Sequence, residues 1–261
     1  MRFEKWQALG NDYLIVTEEL DSEAVQAICH RHLGVGADGV LLVERTDEPG
    51  FVARLRIFNP DGSEAELSGN GAREALMWLH HNGWARGNEF SIRTIAGEIR
   101  AHVLDDRSCR VDMGRARIVE EAGEIQGMRY VALEVGNPQC SIRIADWAEL
   151  QALDLPAVGA PIEHDPRWPN RTNVSFWTPL APDRIRARIF ERGVGETMSS
   201  GTGATGAAIA HVLRGGDSPV TVELDGGELI VDVAEDLHVD LTGWAVPVFA
   251  GEWPAPTAGA R

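Results

Sequence analysis

The segment Arg54-Leu-Arg-Ile-Phe-Asn59 returns as Arg186-Ala-Arg-Ile-Phe-Glu191, displaced by 132 positions. Held without a gap, the same displacement matches Glu64 with Glu196, Ser68 with Ser200, Gly69 with Gly201, Gly71 with Gly203 and Ala72 with Ala204, giving nine identities in the nineteen positions 54–72. The identities begin in a strand-like stretch ahead of the glycines, so shared loop composition does not account for them. With small slips, Ala96-Gly-Glu-Ile99 matches Gly226-Gly-Glu-Leu229, and Gly10-Asn11 matches Gly136-Asn137. A repeat of this kind constrains architecture before any single motif does. It predicts two copies of one unit, residues 1–114 and 115–247, with residues 248–261 joining the first. The end, Trp253-Pro-Ala-Pro-Thr-Ala-Gly259, is expected at the surface.

Within each copy the pattern is that of an α+β protein. Ala53-Arg-Leu-Arg-Ile-Phe58 alternates polar and apolar residues, as a half-buried strand does. Asn59-Pro-Asp-Gly-Ser63 is turn chemistry. Ser68-Gly-Asn-Gly-Ala72 then leads into a helix from Arg73 to His81 that Gly83 ends. In the second copy Ser200-Gly-Thr-Gly-Ala204 opens a helix over Thr205–Leu213, apolar nearly all round and therefore expected to be buried. Strands follow at 90–94, 99–104, 220–224 and 229–233. Many strands with one central helix per unit exclude a doubly wound array of alternating strands and helices.

The repeated Ser-Gly-x-Gly-Ala loop carries the chemistry. The first turn of a helix has unpaired backbone N–H groups and the positive end of the helix dipole, so it attracts anions. Two such loops related by a pseudo-two-fold axis are suited to gripping one carboxylate and placing a side chain on each side of its α-carbon, the geometry for inverting a stereocentre. A phosphate-binding P-loop is excluded because neither loop ends in Gly-Lys-Ser/Thr, and a nucleophile elbow because neither serine sits in Gly-x-Ser-x-Gly.

Composition narrows the partners. The 261 residues carry a net charge of −16, which argues against nucleic acid or an anionic membrane as ligand. The opening Met1-Arg-Phe-Glu-Lys lacks the apolar run of a signal peptide, and no stretch suits a membrane span, so a cytoplasmic protein is expected. Cys29, Cys109 and Cys140 form no paired spacing and predict neither disulfides nor a metal site.

Asn59-Pro-Asp-Gly-Ser-Glu-Ala-Glu-Leu-Ser68-Gly-Asn-Gly-Ala-Arg73 and Glu191-Arg-Gly-Val-Gly-Glu-Thr-Met-Ser-Ser200-Gly-Thr-Gly-Ala204 resemble the two signatures of the diaminopimelate epimerases. Further landmarks fall in order: Leu9-Gly-Asn-Asp-Tyr13, Gly34-Val-Gly-Ala-Asp-Gly39, Thr94-Ile-Ala-Gly97, Gly136-Asn-Pro138, Thr172-Asn-Val174 and Leu241-Thr-Gly243. The resemblance covers about residues 1–252. It implies two pseudo-symmetric domains, each a mixed sheet wrapped round a central helix. It also implies cofactor-independent interconversion of LL- and meso-diaminopimelate, a step towards lysine and peptidoglycan, and a homodimer. Carried over by motif, substrate contacts fall on Asn11, Asn59, Gly69, Asn70, Asn137, Asn173, Glu191, Arg192, Gly201 and Thr202. Arg192 is suited to the distal carboxylate, which a guanidinium binds bidentately.

The catalytic positions depart from the family. Where it carries two cysteines that exchange the roles of base and acid, this chain has Ser68 and Ser200. Thiols ionise near ~8.5, lower at a helix N-terminus, whereas a serine hydroxyl needs an adjacent base. Gln139 stands where the family usually has His, and Glu74 where a further cysteine is common; Glu191 is kept as a candidate acid or base. Cys140 is expected to face away from Gln139, because neighbours in a strand point to opposite faces. Asp61, Glu64, Glu66 and Glu196 are alternative bases, expected instead to bond turn amides. Three readings stay open: an epimerase with an altered proton relay, an isomerase of another substrate using carboxylate chemistry, and an amino-acid-binding protein that has lost the reaction.

Overall fold

The computed structural model describes residues 1–254. It divides into two compact units, Met1–Val111 with the chain from Trp244 onward, and Asp112–Gly243. The first contains β1 (Arg2–Ala8), β2 (Asn11–Val16), α1 (Ser22–Cys29), β3 (Gly39–Arg45), β4 (Ala53–Phe58), β5 (Glu64–Ala65), α2 (Gly69–His81), β6 (Glu89–Thr94), β7 (Gly97–Val103) and the first half of β8 (Ser108–Arg115). The second contains β9 (Arg117–Ile125), β10 (Met128–Glu134), β11 (Pro138–Arg143), α3 (Trp147–Ala152), α4 (Leu155–Glu163), β12 (Asn173–Ala181), β13 (Arg184–Glu191), β14 (Gly195–Thr197), α5 (Gly201–Val212), β15 (Val220–Leu224), β16 (Gly227–Val233) and β17 (His238–Trp244). The last strand, β18 (Val246–Glu252), returns to the first unit.

The two sheets have one topology. In the first unit the order is β18-β1-β2-β3-β4-β6-β7-β8, with β5 beside β4. In the second it is β9-β10-β11-β12-β13-β15-β16-β17, with β14 beside β13. Parallel pairs fall at matching places, β2–β3 and β4–β6 against β11–β12 and β13–β15. The strand corresponding to β9 is therefore supplied to the first unit by the end of the chain. Met1 and Trp253 lock this closure with reciprocal backbone bonds of 3.0 and 2.8 Å. Of the expected surface end, residues 255–259 lie outside the described residues.

Each sheet curls round one helix. α2 packs on β1, β2, β3, β7 and β18, and α5 on β10, β11, β12, β13, β15 and β16. Every residue of α5 from Gly201 to His211 is buried, as its uniformly apolar sequence predicts. Both helices begin earlier than hydrophobic periodicity alone places them. Gly69 and Gly201 already lie in the first turn, because Ser68 and Ser200 cap it. α1 packs on the opposite face of the first sheet, and α3 and α4 on that of the second, giving each unit a second apolar layer. The turns that start β2 and β11 pass through Gly10 (φ 86°) and Gly136 (φ 73°), a left-handed backbone that glycine adopts without a Cβ clash. No helix among the described residues is long and apolar enough to cross a membrane.

Candidate active site

The serines have nearly superposable backbones, with φ −132°, ψ 119° at Ser68 and φ −137°, ψ 120° at Ser200. Each hydroxyl oxygen accepts the N–H of the third helical residue, Gly71 at 3.1 Å and Gly203 at 3.2 Å. These bonds fix both side chains against the positive ends of their helices. The surroundings differ. Ser68 is half-buried, and its oxygen also accepts the Tyr13 hydroxyl at 3.2 Å. Ser200 is only 2% exposed.

In the first unit a chain of polar contacts joins three expected ligand-binding residues. Asn70 Nδ2 donates to Asn11 Oδ1 at 3.2 Å, and Asn11 Nδ2 donates to Asp38 Oδ2 at 2.8 Å. Arg73, wholly buried, grips the loop from inside, donating to Asn70 Oδ1 at 2.6 Å and to the Gly69 carbonyl at 3.2 Å. Below Asn11, Asp12 pairs with Lys5 at 2.6 Å and Arg31 at 2.8 Å. Burial raises the pKa of Asp12, but its bonds to Arg31, Lys5 and Asp38 outweigh burial and hold it at about 2. Asn59 stays within its own turn, donating to Ser63 Oγ at 2.9 Å.

In the second unit Asn173 Oδ1 accepts the Arg192 backbone N–H at 2.8 Å, and the Arg192 guanidinium donates to the Asn170 carbonyl at 3.1 Å. Arg192 has no carboxylate partner among the described residues. Buried Glu163 accepts Gly193 N–H at 2.8 Å and pairs with Arg171 at 3.2 Å, pinning the turn that carries Glu191 and Arg192. Glu191 accepts the Thr197 hydroxyl at 2.7 Å, and the Gly201 carbonyl accepts that of Thr205 at 2.9 Å. Thr202 is buried in the first turn of α5. Gln139 donates to Asn137 and lies against α5, where a Cβ on Gly206 would stand 3.2 Å from Gln139 Cβ.

Three of the four alternative bases are occupied elsewhere, and Glu66 is exposed. Asp61 accepts the Ser63 amide and hydroxyl at 2.9 and 2.6 Å, as turn chemistry predicts. Glu64 and Glu196 do not bond turn amides; they pair with Arg56 at 2.9 Å and Arg188 at 2.6 Å, matching partners in the two copies. Cys140 points into the apolar layer of α3 and α4, opposite Gln139, and burial pushes its thiol up to about 12. Burial likewise holds Cys29 and Cys109 at about 12, so none of the three supplies a thiolate. Asp112, His238 and Asp240 bring potential metal-ligand atoms within 4.8 Å, but the His238–Asp112 pair at 3.1 Å accounts for much of that grouping.

Glu74 is fully enclosed beside Arg73 and the Tyr13 backbone, and burial raises its pKa well above the usual carboxylate range. The carboxyl is neutral when folded and ionised when unfolded, so stability falls as pH rises past that range. Glu74→Gln removes this dependence. We expect the variant to melt several degrees above wild type at pH 8 and level with it near pH 4, measured by calorimetry. A gain independent of pH would contradict the neutral carboxyl.

The family model described as diaminopimelate epimerase matches residues 3–119 and 131–247, one match per repeat. A diaminopimelate epimerase from Pelotomaculum thermopropionicum is 37% identical over 98% of this chain and 100% of its own. The chain belongs to the diaminopimelate epimerase family. Solved structures share the fold at lower identity. A Bacillus anthracis phenazine biosynthesis protein of the PhzF family has a TM-score of 0.75 at 18% identity, covering 97% of this chain and 99% of its own. A predicted epimerase from Pseudomonas aeruginosa has 0.72 at 17%, covering 97% and 98%.

Sequence reasoning missed Tyr13, Asp38 and Glu163. The first was within reach: the displacement of 126 that aligns Asn11 with Asn137 also aligns Tyr13 with Gln139.

Proposed function

We propose that the protein epimerises an α-carbon of diaminopimelate without a cofactor, with Ser68 and Ser200, each at a helix N-terminus, as its acid–base groups. The matched capping geometry of Ser68 and Ser200 carries this reading. Backbone N–H groups around Gly69, Asn70, Gly201 and Thr202 take the α-carboxylate and stabilise the charge that builds there as the α-proton leaves. One serine oxygen accepts that proton, and the other hydroxyl returns one to the opposite face. Asn11, Asn59, Asn137, Asn173 and Glu191 provide polar contacts, and the carboxylate-free Arg192 suits the distal carboxylate.

A second reading, binding without turnover, is favoured by the loss of both thiols. Carboxylate-based isomerisation is disfavoured by the Arg56–Glu64 and Arg188–Glu196 pairs, which hold two alternative bases away from substrate. Exchange of the α-proton of LL-diaminopimelate in D₂O, with calorimetric titration, separates the readings. Exchange with inversion is expected. Binding without exchange would establish the second reading, and absence of both would remove diaminopimelate as the ligand.

A further inference from the structure

We propose that Tyr13 is the proton-holding partner of Ser68, so that the first unit presents a phenol–hydroxyl pair in place of the family's thiol. This rests on the epimerase reading above. The Tyr13 hydroxyl donates to Ser68 Oγ at 3.2 Å, and the Gly71 N–H donates to the same oxygen at 3.1 Å. With two donors on that oxygen, the serine's own hydrogen is left to point towards a third group. That is the arrangement of an acid about to give its proton away.

The tyrosine is placed by the sheet. It lies in β2 opposite Gly39 of β3, and a Cβ on Gly39 would stand 2.7 Å from Tyr13 Cε1. Glycine at this position makes room for the ring. Beneath it burial pushes the Glu74 carboxyl towards its neutral form, while the nearby carboxylates of Asp12 and Asp38 are paired with Lys5 and Arg31.

The proton balance is closed. In the acid direction the Ser68 O–H bond breaks as the α C–H bond forms. The Tyr13 proton passes to Ser68 Oγ, and the negative charge leaves the carbanion and ends on the phenolate. In the base direction each transfer reverses. A phenol suits the outer position because it ionises near ~10, whereas an isolated serine hydroxyl stays protonated there. The corresponding residue of the second unit, Gln139, cannot exchange a proton, so the two serines differ in reactivity.

The test is Tyr13→Phe, made in wild type and in a Ser68→Cys background. In wild type the substitution should slow α-proton exchange of diaminopimelate about 10²-fold or more. It should also abolish the rise of rate at high pH, while melting temperature and calorimetric affinity stay unchanged. In the Ser68→Cys background the same substitution should have little effect, because a thiol at a helix N-terminus ionises unaided. Unchanged exchange after Tyr13→Phe in an active wild type would overturn the role of Tyr13 alone. So would equal losses in both backgrounds, which would mark a packing role. A wild-type protein that shows no exchange would overturn the epimerase reading and this one with it.

Discussion

Ser68→Cys combined with Ser200→Cys is expected to raise diaminopimelate epimerisation by at least ~10²-fold, the scale set by one well-placed general base. Each sulfur would occupy an N-cap whose oxygen now accepts Gly71 or Gly203 N–H, so a thiolate meets a ready donor and the positive end of a helix. The contrast with the native cysteines is instructive: Cys29, Cys109 and Cys140 are held at about 12 because burial opposes their ionisation. The two single variants should differ. Ser68 already has the Tyr13 hydroxyl, whereas Ser200 corresponds to a unit with Gln139 in that place, so Ser200→Cys should deliver most of the gain. Because Ser200 is 2% exposed, the larger sulfur must be accommodated, and melting curves should accompany the kinetics. A folded double variant that binds diaminopimelate and remains inert would show that the hydroxyls are not what limits turnover. Gln139 would be the next residue to change.

The parts of this protein legible in its sequence are those encoded locally. The repeat was visible because strand residues such as Arg56 and Arg188 recur with the loop residues, so one displacement carries both elements. The burial of α5 followed from apolar residues on every side of it. What escaped was encoded across distance. Tyr13 reaches Ser68 from 55 residues away, and Glu163 holds Gly193 from 30 away. Residues 248–261 were expected to join the first unit, but not the pairing of β18 with β1, almost the whole chain away. Such pairings leave no periodicity in either segment. The pairing of Glu64 and Glu196 with arginines was missed for a related reason: Arg56 and Arg188 sit on neighbouring strands, and charge composition does not specify which acidic group meets them.

The largest loss of stability is expected at Arg73. Its side chain is 0% exposed and its guanidinium binds the Gly69 carbonyl and the Asn70 amide oxygen, so one cation organises the loop from beneath. Burial pulls its proton affinity down, yet a guanidinium keeps its charge in a protein, and the Gly69 and Asn70 oxygens solvate that charge. Arg73→Ala would open a cavity and leave the Asn70 oxygen without its charged donor, at a cost of about 3–5 kcal/mol. Over a chain of this size that corresponds to a melting temperature lower by roughly 10 °C or more. Arg73→Met should recover much of the stability, since it refills the volume and removes the buried charge. It should not recover ligand affinity, because Asn70, which donates to Asn11, would still lack its anchor. Calorimetry on both variants, with and without diaminopimelate, separates the two effects. If Arg73→Met restores binding as fully as it restores melting temperature, Arg73 fills space and does not orient the loop.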